Sequence, residues 1–314
     1  MKSSLKRTIP GHNHSDYRID FERFVLDWDD TCKETGKYWI QAHREVLQSF
    51  GFANAETSDG NILTLFGNIY VGATLGIERF VKNSKAYTDQ EIWNLIKSRA
   101  KQLLDNSPMD PLLIEALIAA KNMGVRLAVW STSPREILIP TIHNNHWDDL
   151  FDAVICVEDV DADKHKPNPQ GLYIAVKAMD IAQGYLLPAE NYSVKKPRNM
   201  NGVWMIGDST NDVIGGKRAG TSTVRLENAL QGHNAHEKRN DTLQYLHKSE
   251  ITATVTIRTF DPEEAGYPRN TALKNLPAAT IRGLPTVNID FAKFLIDREL
   301  RNQLFKNENV RRID

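Results

Sequence analysis

Long apolar runs are missing from this 314-residue chain, and none approaches the about 18 residues a membrane span needs, so no transmembrane helix is expected. The first 20 residues carry Lys2, Lys6 and Arg7 without an apolar stretch, so no secretory signal is expected either. Cysteine is scarce: Cys32 and Cys156 stand far apart and suggest neither a disulfide framework nor a zinc site, which fits a cytoplasmic setting. Charge of one sign is not in excess, with 39 basic against 40 acidic residues. No strong pull toward nucleic acid or a membrane surface follows from that balance. Internal repeats are absent. What remains is a chain long enough for one large domain or two modest ones, with enough apolar residues for a packed core.

One stretch organises the rest: Phe24-Val25-Leu26-Asp27-Trp28-Asp29-Asp30-Thr31. Phe, Val and Leu in a row leave no polar face, as in a parallel strand covered on both sides. Three carboxylates, Asp27, Asp29 and Asp30, then crowd the strand end. Such crowding is unfavourable without a cation, and clustered carboxylate oxygens suit magnesium. Asp is also common in turns and helix caps, so the rest of the chain must decide.

Residues 1–20 read as a polar, extended arm; His12 and His14 have no third partner nearby and read as solvated. From 33 to 107 the pattern is helical. Tyr38, Trp39, Ala42, Val46 and Leu47 share one face, and Thr88-Asp89-Gln90-Glu91 opens a second helix through Trp93, Ile96 and Ala100. From Asp110 to Leu226 strands and helices alternate. The strands are Val125–Trp130, Ala153–Val157, Val203–Ile206 and Thr223–Leu226, and Ser133-Pro134-Arg135-Glu136 reads as a capping box before one of the helices. Ile251–Ile257 reads as a strand at the sheet edge, 228–250 as a polar insertion, and Phe291 to about Leu304 as a helix. The expected fold is α/β, a Rossmann-like parallel sheet core formed by 21–32 and 108–260, with an all-helical insertion at 33–107 and a C-terminal extension at 261–314.

Right-handed crossovers bring the carboxyl ends of parallel strands to one edge, where ligands bind. Asp27, Ser131 and Asp208 are each the first polar residue after a strand, so all three should meet there. With Lys166 of His165-Lys166-Pro167-Asn168-Pro169, and Asp212 of Gly207-Asp208-Ser209-Thr210-Asn211-Asp212, they make a set suited to phosphoryl transfer. A carboxylate can attack phosphorus, and a metal with a fixed cation can offset the repulsion between two anions. Ser131 can donate to a phosphate oxygen, and Asp29 can serve as acid and base. Taken singly, Ser131 could be a turn residue, Lys166 a solvated lysine, and Asp208 and Asp212 helix caps. Their order along the chain, each at the right strand end, favours the site.

The ordered set resembles the haloacid dehalogenase superfamily of phosphohydrolases: Asp27-x-Asp29-x-Thr31, Ser131, Lys166, and the Gly207-Asp208-Ser209 to Asp212 loop. The helical insertion and the Lys166-Pro167-Asn168-Pro169 form resemble the subgroup with a helical cap, which includes phosphoglycolate phosphatase-like and beta-phosphoglucomutase-like enzymes. The resemblance implies Asp27 as nucleophile and Asp29 as acid/base. It implies Mg2+ held by Asp27, the Asp29 backbone carbonyl and Asp208, with Asp212 acting through water. It implies phosphate held by Ser131, Thr132 and Lys166, and a small phosphorylated substrate. Two positions depart from the pattern: Asp30 stands where glycine is usual, adding charge near the metal, and Thr132 where asparagine is common. A phosphatase, a phosphomutase and a non-catalytic phosphate-binding module all stay open, the first being favoured. In such a cap, Phe66–Gly72, Arg79 and Lys82 are the candidates for substrate choice, with helix packing as the alternative for the glycines.

Overall fold

The computed structural model describes residues 22–52, 62, 89–105, 111–182, 197, 200–227, 255–258, 286–287 and 291–302. The arm, the 228–250 insertion, Phe66–Gly72, Arg79 and Lys82 lie outside them. Strand β1 (Arg23–Leu26) is fully buried. It pairs in parallel with β2 (Arg126–Trp130) on one side and β4 (Val203–Gly207) on the other. With β3 (Ala153–Ile155), β5 (Ser222–Glu227), β6 (Val255–Arg258) and β7 (Thr286–Val287) the sheet runs β3-β2-β1-β4-β5-β6-β7. Every adjacent pair is parallel. The chain winds outward from β1 through β2 to β3, then returns to place β4 on the far side of β1. That reversal is the switch point at which open α/β sheets bind ligands.

Both faces of the central strands are covered, which is why β1, β2 and β4 carry no polar alternation. Phe24, Leu26, Leu127, Val129, Trp204 and Ile206 face one layer, made of α3 (Pro111–Asn122), α4 (Arg135–Asn144) and α7 (Phe291–Ile296). Val25, Ala128, Trp130 and Met205 face the other, where α5 (Gln170–Ala182) contributes Leu172, Ala175, Val176 and Met179. Helix α6 (Thr210–Ala219) follows β4 and adds Ala219 to this layer. Burying each large side chain contributes about 1.5–3 kcal/mol.

Residues 286–287 and 291–302, within the segment set apart as an extension, enter the sheet and the core respectively. Residues 286–287 form the outermost strand, so β6 is not the sheet edge as expected; a two-residue strand leaves no period to read. Phe294 stacks on Phe24 with ring centroids 6.4 Å apart and meets Trp204 edge-on at 5.6 Å. The buried Arg301 guanidinium donates to the carbonyls of Phe294 and Leu295 at 2.6 and 2.8 Å and to both carboxylate oxygens of Glu22. A cation at the last carbonyls of α7 is where the helix dipole favours one.

In the helical insertion, α1 (Gly36–Ser49) packs on α2 (Asp89–Leu104). Trp39 stacks on Trp93 at 5.9 Å, and Ile92, Ile96 and Ala100 pack with Ala42 and Val46. Ile137 of α4 joins this cluster, and Lys97 pairs with Glu136, so the insertion seats on the sheet layer. The buried Lys33 Nζ donates to Leu104 O at 2.9 Å, tying the entry of the insertion to its exit.

His43 packs beside the stacked Trp39 and Trp93 rings, 2% exposed. Its Nδ1 lies 2.8 Å from Trp39 O. A carbonyl only accepts, so Nδ1 carries the proton. Burial pushes the imidazole down from 6.5 to about 4. The unfolded chain therefore gains this proton first as the pH falls. Stability contributed by neutral His43 is complete above pH 6.5 and is lost progressively toward pH 4. Urea titrations at pH 7.5 and 4.5 should show the protein losing roughly 2–3 kcal/mol more than His43→Gln. Equal losses would contradict a buried neutral imidazole.

Candidate active site

The β1–β4 pairing continues one residue beyond the strand: Asp27 N–H donates to Ile206 O at 2.8 Å. Across β2, Ser131 N–H donates to Ile155 O at 2.9 Å. Backbone register therefore delivers Asp27, Ser131 and Asp208 to one edge, as their positions after apolar runs required. Asp27, Asp208 and Asp212 are buried, and each presents a carboxylate oxygen within 4.8 Å of the others.

Lys166 reaches this cluster from the loop before α5. Its Nζ donates to Asp27 Oδ1 and to Asp212 Oδ1, both at 2.7 Å, although 139 residues separate it from Asp27. Asp212 is held from its other side: its Oδ2 accepts from Ser209 N–H at 3.0 Å and Ser209 Oγ at 2.6 Å, in a capping box at the start of α6. Gly207 makes room for it, since a Cβ there would lie 2.3 Å from Asp212 Oδ2.

Lys166 bridges two of these three carboxylates. Burial, then the charge of Asp212, pushes the Asp27 carboxyl well above the usual range, and Lys166 only partly opposes this. The Lys166 pKa is raised as well: burial works against its charge, but Asp212 and Asp27 together outweigh it and hold it protonated. Three buried carboxylates whose oxygens converge fit a hard divalent cation.

Asp29 stands beside this group, not in it. Its Oδ1 accepts from Thr35 Oγ1 at 2.7 Å, and its Oδ2 from Ser131 Oγ at 3.0 Å and Ser133 Oγ at 2.7 Å. Ser131 Oγ also accepts from Ser133 N–H at 2.8 Å. Thr132, between the two serines, is half-buried. The capping box expected at Ser133 does not form: α4 starts after Pro134 with no side-chain cap, and the Ser133 hydroxyl turns to Asp29 instead. Thr35 and Ser133 are site residues that the sequence did not single out. Ser133 had a signal, because positions two apart on leaving a strand point the same way.

Asp30 does not add its charge to the cluster as expected. Its backbone adopts the left-handed conformation, φ 56°, which glycine takes freely and Asp tolerates. Its Oδ1 accepts from Thr35 N–H and Gly36 N–H at 3.0 and 2.9 Å, at the start of α1. Carboxylates are favoured at helix N-termini, so this charge is committed there. Cys32 and Cys156 are buried thiols whose pKa values burial pushes up, Cys156 to about 12, so neither offers a thiolate.

Residues 24–226 match the sequence profile described as haloacid dehalogenase-like hydrolase. The chain belongs to the haloacid dehalogenase-like hydrolase family. The matched span begins in β1 and ends in β5, so it takes in both the helical insertion and the whole carboxylate–lysine cluster. Curated relatives of this chain include Pyrophosphatase PpaX of Bacillus mycoides (strain KBAB4), 27% identical over 118 residues, 38% of this chain and 46% of the relative. The PpaX of Halalkalibacterium halodurans is 28% identical over the same length and shares. The chain thus spans about half the length of the curated relatives it matches. A putative haloacid dehalogenase-like hydrolase from Bacteroides fragilis has a similar fold, with TM-score 0.50, 22% identity, and coverage of 70% of this chain and 93% of that one. A beta-phosphoglucomutase from Clostridium difficile gives TM-score 0.52, 15% identity, and coverage of 75% and 90%. At these identities the solved structures show the fold alone.

Proposed function

We propose that this hydrolase is a magnesium-dependent phosphatase that cleaves a small phosphorylated metabolite through an aspartyl-phosphate on Asp27. One observation carries the reading: a buried cluster of three carboxylates with Lys166 bridging Asp27 and Asp212, beside a fourth carboxylate, Asp29, held by three hydroxyls. Magnesium would be held by Asp27, the Asp29 backbone carbonyl and Asp208, with Asp212 acting through water; when bound it supplies positive charge against which two anions can approach.

Asp27 attacks phosphorus, forming the Asp27–phosphate bond as the bond to the leaving oxygen breaks. Asp29 gives its proton to that oxygen. It then takes a proton from water as the water attacks phosphorus, which frees phosphate and restores Asp27. Lys166 has three N–H donors, two on carboxylates, which leaves one for a phosphate oxygen. Ser131 and Thr132 donate to the same group once a ligand competes with Asp29 for the Ser131 hydroxyl. In the phosphomutase alternative the same groups return the phosphate to the substrate. A soluble, cytoplasmic enzyme fits the described helices, none of which is long and apolar enough to cross a membrane.

Phosphate release from a panel of an aryl phosphate, sugar phosphates, phosphoglycolate and pyrophosphate tests this. Release should require magnesium and stop with a chelator. Phosphate transferred within the substrate without release would favour the mutase, and silence across the panel would contradict both. The acid/base assignment has its own test. Asp29→Asn should lower kcat by about 10²–10⁴-fold while leaving magnesium affinity nearly unchanged, because only the backbone oxygen of Asp29 is assigned to the metal. A large loss of metal affinity in a folded variant would contradict that role.

A further inference from the structure

The Lys166 side chain is 3% exposed, so water does not flank it. Two of its N–H groups meet Asp27 and Asp212. A further flank is an aromatic face: Nζ lies 4.9 Å from the centroid of the Trp130 ring. A desolvated ammonium over indole is attracted by the ring's quadrupole, and Trp is the strongest of the aromatic partners. Trp130 closes β2 immediately before Ser131 and is 1% exposed.

The indole is wedged in place. A Cβ on Gly171, in the first turn of α5, would lie 2.0 Å from Trp130 Nε1. A Cβ on Gly215, in α6, would lie 3.1 Å from the far edge of the ring. Two glycines on two helices thus admit one large ring where the strand end meets the lysine. Without Cβ atoms at these positions the helices close on the indole itself, and its face keeps one orientation toward Nζ.

We propose that Trp130 is the positioning residue for Lys166: its indole, seated between Gly171 and Gly215, holds the ammonium at the junction of Asp27 and Asp212, where phosphate is to bind. The proposal rests on Lys166 being the phosphate-side cation. A role in core packing alone would make Trp130 matter for folding but not through Lys166.

Affinity for inorganic phosphate with magnesium, titrated on the full chain, separates the two. The forms compared are the parent, Trp130→Leu, Trp130→Phe, Lys166→Met, and each tryptophan change combined with Lys166→Met. Trp130→Leu should weaken phosphate binding about tenfold, and Trp130→Phe, which keeps a ring, should recover most of it. In the Lys166→Met background neither change should have a further effect, because the group acted upon is gone. The same loss in both backgrounds, or no loss in either, would overturn the proposal. Should Trp130→Leu fail to fold, the Trp130→Phe pair decides alone: a smaller loss only where Lys166 is present supports positioning, and an equal effect in both backgrounds overturns it. Unchanged phosphate affinity in Lys166→Met would overturn the lysine's assignment itself, and this proposal with it.

Discussion

Asp27→Asn is expected to cut turnover by on the order of 10³-fold or more, the scale on which deleting a catalytic nucleophile acts. The amide keeps the shape of the side chain and an oxygen for Lys166, now 2.7 Å from Asp27 Oδ1, so the fold should survive. It loses the charge that attacks phosphorus and weakens one of the proposed metal contacts. Phosphate release and circular dichroism on the same preparation check both halves. Retention of more than a few per cent of activity in a folded Asp27→Asn would contradict the assignment.

The second large effect is that of Lys166→Ala, which should reach stability as well as turnover. The ammonium is buried between Asp27 and Asp212. Removing one partner of a buried ion pair costs about 3–5 kcal/mol, because the carboxylates left behind are neither solvated nor paired. Asp27, already pushed toward its neutral form by burial and Asp212, would take up a proton and relieve part of that cost. Added magnesium should relieve more, since a ligand that binds only the folded state stabilises it. Urea titrations with and without magnesium should therefore show a larger metal-dependent gain in Lys166→Ala than in the parent, with turnover lost in both conditions. Lys166→Arg should rescue poorly, because a planar guanidinium does not fit between two carboxylates each 2.7 Å from a compact ammonium. A Lys166→Ala as stable as the parent without metal would contradict the proposed role of these buried ion pairs.

What could be read before any coordinates follows a physical pattern. Asp27, Ser131 and Asp208 were legible because a carboxylate or hydroxyl straight after an apolar run marks a buried strand's end, and parallel strands share that edge. Lys166 was legible only through its order among the motifs, since nothing in a lysine before proline reveals a partner 139 residues away. Ser133 and Thr35 were hidden by their own chemistry: a hydroxyl near a helix start reads as a cap, and here both hydroxyls serve Asp29. Asp30 was misread the other way, as site charge when it serves the helix start. Trp130 read as one more strand residue, because the glycines that seat it belong to two other elements. Docking of 291–302 depends on Arg301 meeting Glu22, 279 positions away, which no local period encodes.

The central claim is that the phosphoryl group passes through Asp27. Acid quench during turnover with magnesium, followed by borohydride reduction and peptide mapping, tests it directly, because reduction converts an aspartyl-phosphate to homoserine. The account predicts homoserine at position 27, absent without substrate and absent in Asp27→Asn. Modification at another residue, or sustained turnover with no modified residue at any quench time, would contradict it.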